Sequence, residues 1–166
     1  MKRLTARDIM NHRVITVSDE MTVQELADLF TGEMISGAPV VDADERLVGV
    51  VSLSDIVRTG ARRAGITADP LRTSYYLFGW EDKVSEEDFD DLRLEVDSET
   101  LVRDIMTPTI FGVPETMPIG EMADTMIRGR IHRLIVTRGS HVVGIVTTLD
   151  MLKAIRQHTD GSSLSE

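Results

Sequence analysis

Two strings of residues pair a hydroxyl with a carboxylate and could carry chemistry: Ser52-x-x-Asp55 and Thr147-x-x-Asp150. Each follows an apolar run typical of a buried strand, so each marks the start of a predicted helix. The spacing is that of a capping box, in which the hydroxyl and the carboxylate bond to backbone N–H groups of the first turn. Contact with a ligand at the helix start is the alternative interpretation. Ser54 adds a further hydroxyl to the first string.

A basic cluster precedes the second string. His132-Arg133 stands directly before an apolar run, and guanidinium groups match the geometry of phosphate. Three further arginines lie in the same region: Arg128, Arg130 and Arg138. Such a cluster in an acidic chain would attract an anionic ligand, and the alternative is a solvated helix end and turn. Because the first half of the chain has Ser36-Gly37 at the matching place, the two sites cannot be chemically equal.

The two halves of the chain are copies of each other. Arg7-Asp8-Ile9-Met10 recurs 96 residues later as Arg103-Asp104-Ile105-Met106, and many later positions match at the same offset. The second copy lacks one residue in the turn near residues 42–45, and beyond it the offset is 95, so that Asp55 matches Asp150. This pattern indicates a tandem duplication.

Each copy predicts the element order β-α-β-β-α. The first helices have apolar residues at the spacing of one buried face: Val23, Leu26, Ala27 and Phe30, then Ile119, Met122, Ala123 and Met126. Thr22-x-x-Glu25 predicts a capping box at the first of them. The remaining predicted elements are strands at 14–17 and 110–113, hairpins at 38–41 with 47–51 and at 134–136 with 142–146, and helices at 53–58 and 148–157. One copy alone buries little surface, so the two should pack together.

The predicted organisation has four parts. They are a first repeat at 1–60, an inserted segment at 61–100, a second repeat at 101–158 and a disordered polar tail at 159–166. The insertion contains a cluster of four of the seven aromatic residues, Tyr75, Tyr76, Phe78 and Trp80. A short helix is predicted at 86–94, and it contains a fifth aromatic residue, Phe89. We expect the insertion to pack over the repeats or at a dimer interface, and the alternative is that the aromatic cluster covers a ligand cleft.

Composition excludes several classes of function. Residues 81–100 hold ten acids against two bases, so this window accounts for a charge of −8 out of the net −10, and the chain has no broad basic face for nucleic acid. The absence of cysteine excludes disulfides and thiolate metal sites and suits a cytoplasmic protein. We expect neither a signal peptide nor a membrane span. The histidines lack metal-ligand spacing, and no catalytic constellation is visible, so we expect no metal and no enzyme.

The ordered set of motifs resembles the cystathionine-β-synthase-type (CBS) domain, and two copies in tandem resemble the CBS pair, or Bateman module. The resemblance covers residues 5–58 and 101–155. The strings that carry it are Arg7–Met10, Gly37–Asp42 and Gly49–Asp55 in the first copy, with Arg103–Pro108, Ile131–Leu134 and Gly144–Asp150 in the second. It implies a mixed α and β fold in which the two repeats pack around a pseudo-twofold axis.

The resemblance also implies two clefts between the repeats that hold adenosine-containing ligands. In this family the Asp of each string contacts the ribose hydroxyls, the Ser or Thr contacts the ribose-phosphate edge, and a His-Arg pair contacts phosphates. The binding residues that it implies here are Ser52, Ser54, Asp55, Thr147, Asp150, Ile131, His132, Arg133, Ile35, Ser36, Gly37, Thr16 and Ile110. The apolar members of this set are candidates for the adenine pocket, and core packing is the alternative for each of them.

The function implied by the resemblance is regulatory. The effector would be AMP, ADP or ATP, with no obligatory cofactor, and the arginine cluster favours phosphate-bearing ligands over the cationic S-adenosylmethionine. The module would form a homodimer and modulate a partner protein on a separate chain. A ligand-free dimerisation or interaction module with the same fold is the alternative.

Overall fold

The computed structural model describes residues 3–63, 99–108 and 112–160. Several predictions concern residues outside these ranges. They are the ligand contact of Ile110, the aromatic cluster and short helix of the insertion, and the tail beyond residue 160. Up to residue 63 the elements are α1 (Ala6–Ile9), β1 (Val17–Ser18), α2 (Val23–Glu33), β2 (Gly37–Val41), β3 (Leu47–Ser52) and α3 (Leu53–Arg63). They continue as α4 (Val102–Ile105), β4 (Thr107–Pro108), β5 (Gly112–Pro114), α5 (Ile119–Gly129), β6 (Arg133–Arg138), β7 (His141–Thr147) and α6 (Thr148–Asp160).

The chain divides into two compact units that share one plan. The repeat-1 unit is Ile15–Ile110, and the repeat-2 unit joins Met1–Val14 to Phe111–Glu166. In each unit a short strand, a helix, a hairpin and a second helix follow one another, which confirms the predicted mixed α and β fold with tandem repeats.

The sheet of the repeat-1 unit has the order β1-β2-β3-β4. β1 runs parallel to β2, and β2 pairs with β3 as an antiparallel hairpin in which Ala38 lies opposite Val51. The predicted face of α2 is buried against this sheet, with Leu26 and Phe30 fully shielded from solvent. The predicted capping box holds the start of α2, because Glu25 N donates to Thr22 Oγ1 and Thr22 N donates to Glu25 Oε2.

The repeat-2 unit repeats this arrangement in the order β5-β6-β7. β5 runs parallel to β6, and β6 pairs antiparallel with β7, with Leu134 opposite Val146. Met122 and Met126 of α5 are buried as predicted, whereas Ile119 and Ala123 are only half-buried. Aliphatic and methionine side chains therefore fill this core, whereas the repeat-1 core also contains the aromatic ring of Phe30.

The short segment that opens each sequence copy belongs to the unit of the other copy. α1 lies in the repeat-2 unit, where Arg7 N donates to Glu115 O at 2.9 Å. Asn11 continues this segment and exchanges two backbone hydrogen bonds with Ile145 of β7, at 2.8 and 3.0 Å. In the same way α4 lies in the repeat-1 unit, where Val102 N donates to Met21 O at 2.8 Å. The two copies thus exchange their opening segments.

A glycine in each sheet receives the exchanged segment. A Cβ at Gly144 would lie 2.5 Å from Met10 Sδ, and a Cβ at Gly49 would lie 2.6 Å from Met106 Sδ. The same Cβ atoms would lie 2.9 Å from Thr107 O at Gly49 and 3.1 Å from Asn11 O at Gly144. Glycine therefore allows the backbone of the exchanged segment to lie close to the strand. Met10 and Met106 therefore pack against these two glycines.

Candidate functional site

The strand–helix junction of the repeat-1 unit joins three of the predicted binding residues. Ser52 ends β3, and both its backbone N and its Oγ donate to Asp55 Oδ2 at 2.8 Å. Ser54 Oγ lies 2.8 Å from Ser52 Oγ. Arg58 Nη1 lies 3.3 Å from Asp55 Oδ1, the other oxygen of the carboxylate. The capping box is present, and the side chain of Asp55 is only 1% exposed.

The repeat-2 unit has the same junction in a more open form. Thr147 N and Thr147 Oγ1 donate to Asp150 Oδ2 at 2.9 and 2.7 Å. Lys153 Nζ approaches Asp150 Oδ1 at 3.4 Å, and 19% of the Asp150 side chain is exposed. Leu149, at the position of Ser54, is largely exposed and adds no hydroxyl. The carboxylate of Asp150 is therefore more accessible to a ligand than that of Asp55.

The residues before β2 and β6 lie against these junctions. α2 and α5 both end in a left-handed residue, Met34 at φ 52° and Arg130 at φ 51°, which turns the chain back towards the sheet. As a result Leu53 N donates to Ser36 O and Thr148 N donates to His132 O, both at 2.9 Å.

Strand pairing completes this grouping within each unit. Gly37 lies opposite Ser52 in the β2–β3 pair, and Arg133 lies opposite Thr147 in the β6–β7 pair. The structure thus brings Ser36 together with the hydroxyl–carboxylate pair of the repeat-1 unit. The corresponding group of the repeat-2 unit also includes His132, which is half-buried like Arg133.

The apolar candidates have different surroundings. Ile131 is 2% exposed, and Ile35 is half-buried and packs against the repeat-1 core, so both have a packing role. Thr16 is exposed and precedes β1. A role of Ile131, Ile35 and Thr16 in binding a purine stays a prediction.

The arginine cluster of the sequence is divided in three dimensions. Arg138 makes a bidentate pair with Glu115, at 2.8 and 2.9 Å. Arg128 lies 3.7 Å from Asp124 on the solvent side of α5. Arg130 is the left-handed cap of the helix. Of the four arginines, Arg133 is therefore the one that strand pairing places at the junction.

Two residues of the site, Arg58 and Lys153, were not predicted from the sequence. They stand three positions after Asp55 and Asp150, and each contacts the Oδ1 atom of its carboxylate. The Asp-x-x-Arg and Asp-x-x-Lys spacing on a predicted helix could have identified them, since residues three apart share a helix face.

Burial determines the electrostatics of the repeat-1 junction. Loss of solvent raises the pKa of the Asp55 carboxyl above its usual range, although the hydrogen bonds from Ser52 and the charge of Arg58 act in the opposite direction. An ionised Asp55 therefore costs folding free energy at neutral pH.

We expect Asp55→Asn to gain stability relative to the wild type as the pH rises. With a raised folded-state pKa, the stabilising contribution of Asp55 is fully present below the unfolded pKa of about 3.9 and is lost as the pH rises through the folded value. The amide cannot ionise, so the variant avoids this loss. Urea unfolding between about pH 4 and about pH 7 measures the difference in unfolding free energy.

Glu25→Gln is the control with the opposite sign. Hydrogen bonds from Thr22 lower the pKa of Glu25, so its contribution is present above the unfolded pKa and is lost as the pH falls. Relative to the wild type, this variant should become less stable as the pH rises. If both variants change in the same direction with pH, the assignment of a raised pKa to Asp55 is wrong.

The described residues contain no group of three or more histidines, aspartates or glutamates placed to hold a metal ion. Among the helices within these ranges, none combines the length and the hydropathy needed to cross a bilayer.

Comparison with known proteins places these features in a family. The family model described as "CBS domain" matches residues 6–62 and 102–157. A relative from Methanocaldococcus jannaschii, the uncharacterized protein MJ1426, is 30% identical over 90% of this chain and 89% of its own length.

Two solved structures have the same fold. CBSX2 in complex with AMP is 21% identical, with a TM-score of 0.62 over 93% of this chain and 98% of that one. The CBS domain pair of protein MJ0100, in complex with 5-methylthioadenosine and S-adenosyl-L-methionine, is 20% identical, with a TM-score of 0.62 over 95% and 99%.

Proposed function

Because the chain belongs to the CBS-domain family, we propose that it is a regulatory module, and not an enzyme, that binds an adenine nucleotide of the AMP, ADP and ATP series. Binding would modulate a partner protein on a separate chain. A homodimeric state and a cytoplasmic location, both predicted from the sequence, are part of the proposal. The structures of CBSX2 and MJ0100 contain adenosine compounds, which supports a ligand of this class for the present chain.

The observation that carries the proposal is the matched junction in each unit. A hydroxyl and a carboxylate meet there at the start of a helix, with the residues before β2 or β6 hydrogen-bonded to the same turn. A capping box accounts for one carboxylate oxygen, Oδ2. The second oxygen, Oδ1, lies 3.3 Å from Arg58 in the repeat-1 unit and 3.4 Å from Lys153 in the repeat-2 unit. Beside this cation it can also accept a hydrogen bond from a ligand hydroxyl.

The repeat-2 junction is the better candidate for the principal site. Asp150 is partly exposed, and its Oδ1 can accept a charge-assisted hydrogen bond from a ribose hydroxyl. His132 and Arg133 stand beside it and can contact phosphate, since guanidinium donors match phosphate oxygens. The N-terminus of α6 adds a positive dipole end.

The repeat-1 junction lacks several of these features. Ser36-Gly37 provides no cation, and Asp55 is shielded, so a ribose would have to displace Arg58 from its carboxylate. We therefore propose that this junction binds a nucleotide more weakly than the repeat-2 junction. Ser52, Ser54 and Asp55 are the residues that would contact the weaker ligand.

The chemistry of the repeat-2 junction also favours one class of adenosine ligand. Arg133 can pair with phosphate, whereas it would repel the sulfonium of S-adenosylmethionine if the two groups approached each other. The proposal is therefore that phosphate-bearing nucleotides bind more tightly than S-adenosylmethionine, the compound in the MJ0100 structure.

We expect AMP, ADP or ATP to raise the unfolding free energy of the purified chain. A ligand that binds only the native state at about 100 times its dissociation constant adds about 2.7 kcal/mol. Thermal-shift and calorimetric titrations with AMP, ADP, ATP and S-adenosylmethionine measure this gain. Stabilisation by a nucleotide, with less by S-adenosylmethionine, would support the proposal. If none of the four stabilises the chain, the ligand-free interaction module replaces it.

A further inference from the structure

The cation that follows each aspartate by three residues differs between the two junctions. Arg58 stands on α3, and Lys153 stands at the matching position of α6. Their side chains approach the same atom, Oδ1, of Asp55 and Asp150, at 3.3 and 3.4 Å. The hydrogen bonds to the other oxygen, Oδ2, are alike in both units. The cation is therefore the main difference between the two carboxylates in their direct contacts.

The arginine stands in a more enclosed place than the lysine. The side chain of Arg58 is 24% exposed, and that of Lys153 is 56% exposed. The carboxylates follow the same order, since Asp55 is 1% exposed and Asp150 is 19% exposed. A hydrated ammonium leaves its partner at little cost, whereas separation of a more buried pair leaves two charges poorly solvated. Arg58 is therefore harder to displace from Asp55 than Lys153 is from Asp150.

The guanidinium of Arg58 offers the carboxylate the same kind of contact as a ribose. A ribose diol presents two neighbouring O–H donors, and a guanidinium presents N–H donors in a fixed planar fork. Both would bond to Oδ1 of Asp55, because Oδ2 already accepts from the backbone N and the Oγ of Ser52. The ammonium of a lysine is a point charge on a flexible stem and fixes no such geometry.

Ser54 is the other difference near the repeat-1 carboxylate, and it does not account for the occupation of Oδ1. Its Oγ lies 2.8 Å from Ser52 Oγ, which donates to Oδ2. Ser54 thus acts on the Oδ2 side of the carboxylate. Within the described part of the chain, the structure gives Oδ1 of Asp55 one partner, which is Arg58.

We propose that Arg58 is a positioning residue that closes the repeat-1 site, because its guanidinium takes the place of the ribose diol on Oδ1 of Asp55. Lys153, at the matching position, leaves the repeat-2 site open. The proposal rests on the proposed nucleotide-binding function and adds the group that sets the two affinities apart. The two sites then fill in sequence, and the repeat-1 site fills only at nucleotide concentrations that displace the arginine.

An exchange of the two cations tests the proposal and keeps a positive charge beside each carboxylate. Arg58→Lys should strengthen the weaker binding event, which Asp55→Ala removes, by about tenfold, the factor for one hydrogen bond to a charged group. Lys153→Arg should weaken the tighter event by a similar factor. Calorimetric titration with the tightest of AMP, ADP and ATP measures both events. Arg156→Lys, the same chemical change at an exposed position of α6, should alter neither.

A ligand without the diol separates positioning from a change in the fold of the site. With the 2′,3′-dideoxy form of the same nucleotide, no hydroxyl competes for Oδ1, so neither exchange should change the affinity by more than about twofold. Equal gains for both ligands in Arg58→Lys would show that Arg58 acts on the shape of the site. Weaker binding in Arg58→Lys would show that Arg58 itself holds the ligand. Either result overturns the proposal, and so does an unchanged titration.

Carboxyl footprinting measures the closure without a nucleotide. A water-soluble carbodiimide couples glycine ethyl ester to accessible carboxyl groups, and mass spectrometry measures the extent at each residue. Arg58→Lys should raise the labelling of Asp55 towards that of Asp150 in the wild type, and Lys153→Arg should lower the labelling of Asp150. A wild type that binds no nucleotide would refute the proposed function, whereas the labelling would still decide whether Arg58 closes the carboxylate. Labelling of Asp55 that stays at the wild-type level in Arg58→Lys overturns the proposal.

Discussion

Asp150→Ala is expected to weaken binding of the tightest of AMP, ADP and ATP by about 100-fold, or about 2.8 kcal/mol. The substitution removes the partly exposed carboxylate at the start of α6. Two hydrogen bonds from a ribose diol to a charged group, at roughly 1.5 kcal/mol each, account for a loss of this size. Isothermal titration calorimetry with the purified chain measures the change in affinity.

Asp55→Ala is the matched control for this prediction. It removes the equivalent carboxylate of the repeat-1 unit, which is shielded and faces Arg58. We expect it to change the affinity of the tight site by less than about twofold, the usual coupling between independent sites. Equal losses from the two alanine variants would contradict the assignment of the principal site to the repeat-2 unit.

A comparison of ligands separates ribose contacts from phosphate contacts. Asp150→Ala should weaken adenosine and its phosphates by the same factor, because the diol is common to them. Arg133→Ala should weaken the nucleotides but leave adenosine unchanged. If Arg133→Ala weakens adenosine as strongly as the nucleotides, Arg133 acts on the fold of the site and not on phosphate.

Gly49→Ala is expected to destabilise the chain by about 2 kcal/mol, a typical cost of overpacking. The added Cβ would lie 2.6 Å from Met106 Sδ and 2.9 Å from Thr107 O. The methionine side chain can move aside, but the carbonyl belongs to β4, which pairs with β3 at this glycine. The strand pairing that holds the exchanged segment would therefore have to shift. The free energy of unfolding in urea measures this cost.

Gly32→Ala is the same chemical change at a position with free space. Gly32 lies in α2, and nothing is within 4 Å of its added Cβ. Alanine is favoured over glycine inside a helix by about 0.5 to 1 kcal/mol, so this variant should gain stability. Losses of similar size at both glycines would show that close contact with the exchanged segment is not the cause at Gly49.

Features that depend on neighbours in the chain were predictable from the sequence. The duplication follows from matched positions, and the element order follows from apolar spacing and turn residues. The capping box of Thr22 and Glu25 and the pairs of Ser52 with Asp55 and Thr147 with Asp150 all bridge three residues. Local hydrogen bonds of this kind are determined by spacing alone, because a helical turn brings such residues together whatever surrounds it.

The candidate site could be predicted from the sequence only in part. The neighbours of His132 and Arg133 depend on a hairpin that was predicted, so their place beside Thr147 could be anticipated. The different exposure of Asp55 and Asp150 could not, because it depends on how closely the neighbouring side chains cover each carboxylate. The side chain of Arg58 is 24% exposed beside Asp55, whereas that of Lys153 is 56% exposed beside Asp150.

By itself the sequence determined the repeated β-α-β-β-α order, the capped helix starts and the two hydroxyl–carboxylate pairs. Tertiary structure alone decided that α1 joins the repeat-2 unit and α4 the repeat-1 unit. It also decided that Arg138 pairs with Glu115, 23 residues away in the chain. The reason is physical: both outcomes are contacts between distant parts of the chain. Such contacts form only where two surfaces pack, and the spacing of residues along one segment carries no information about its partner.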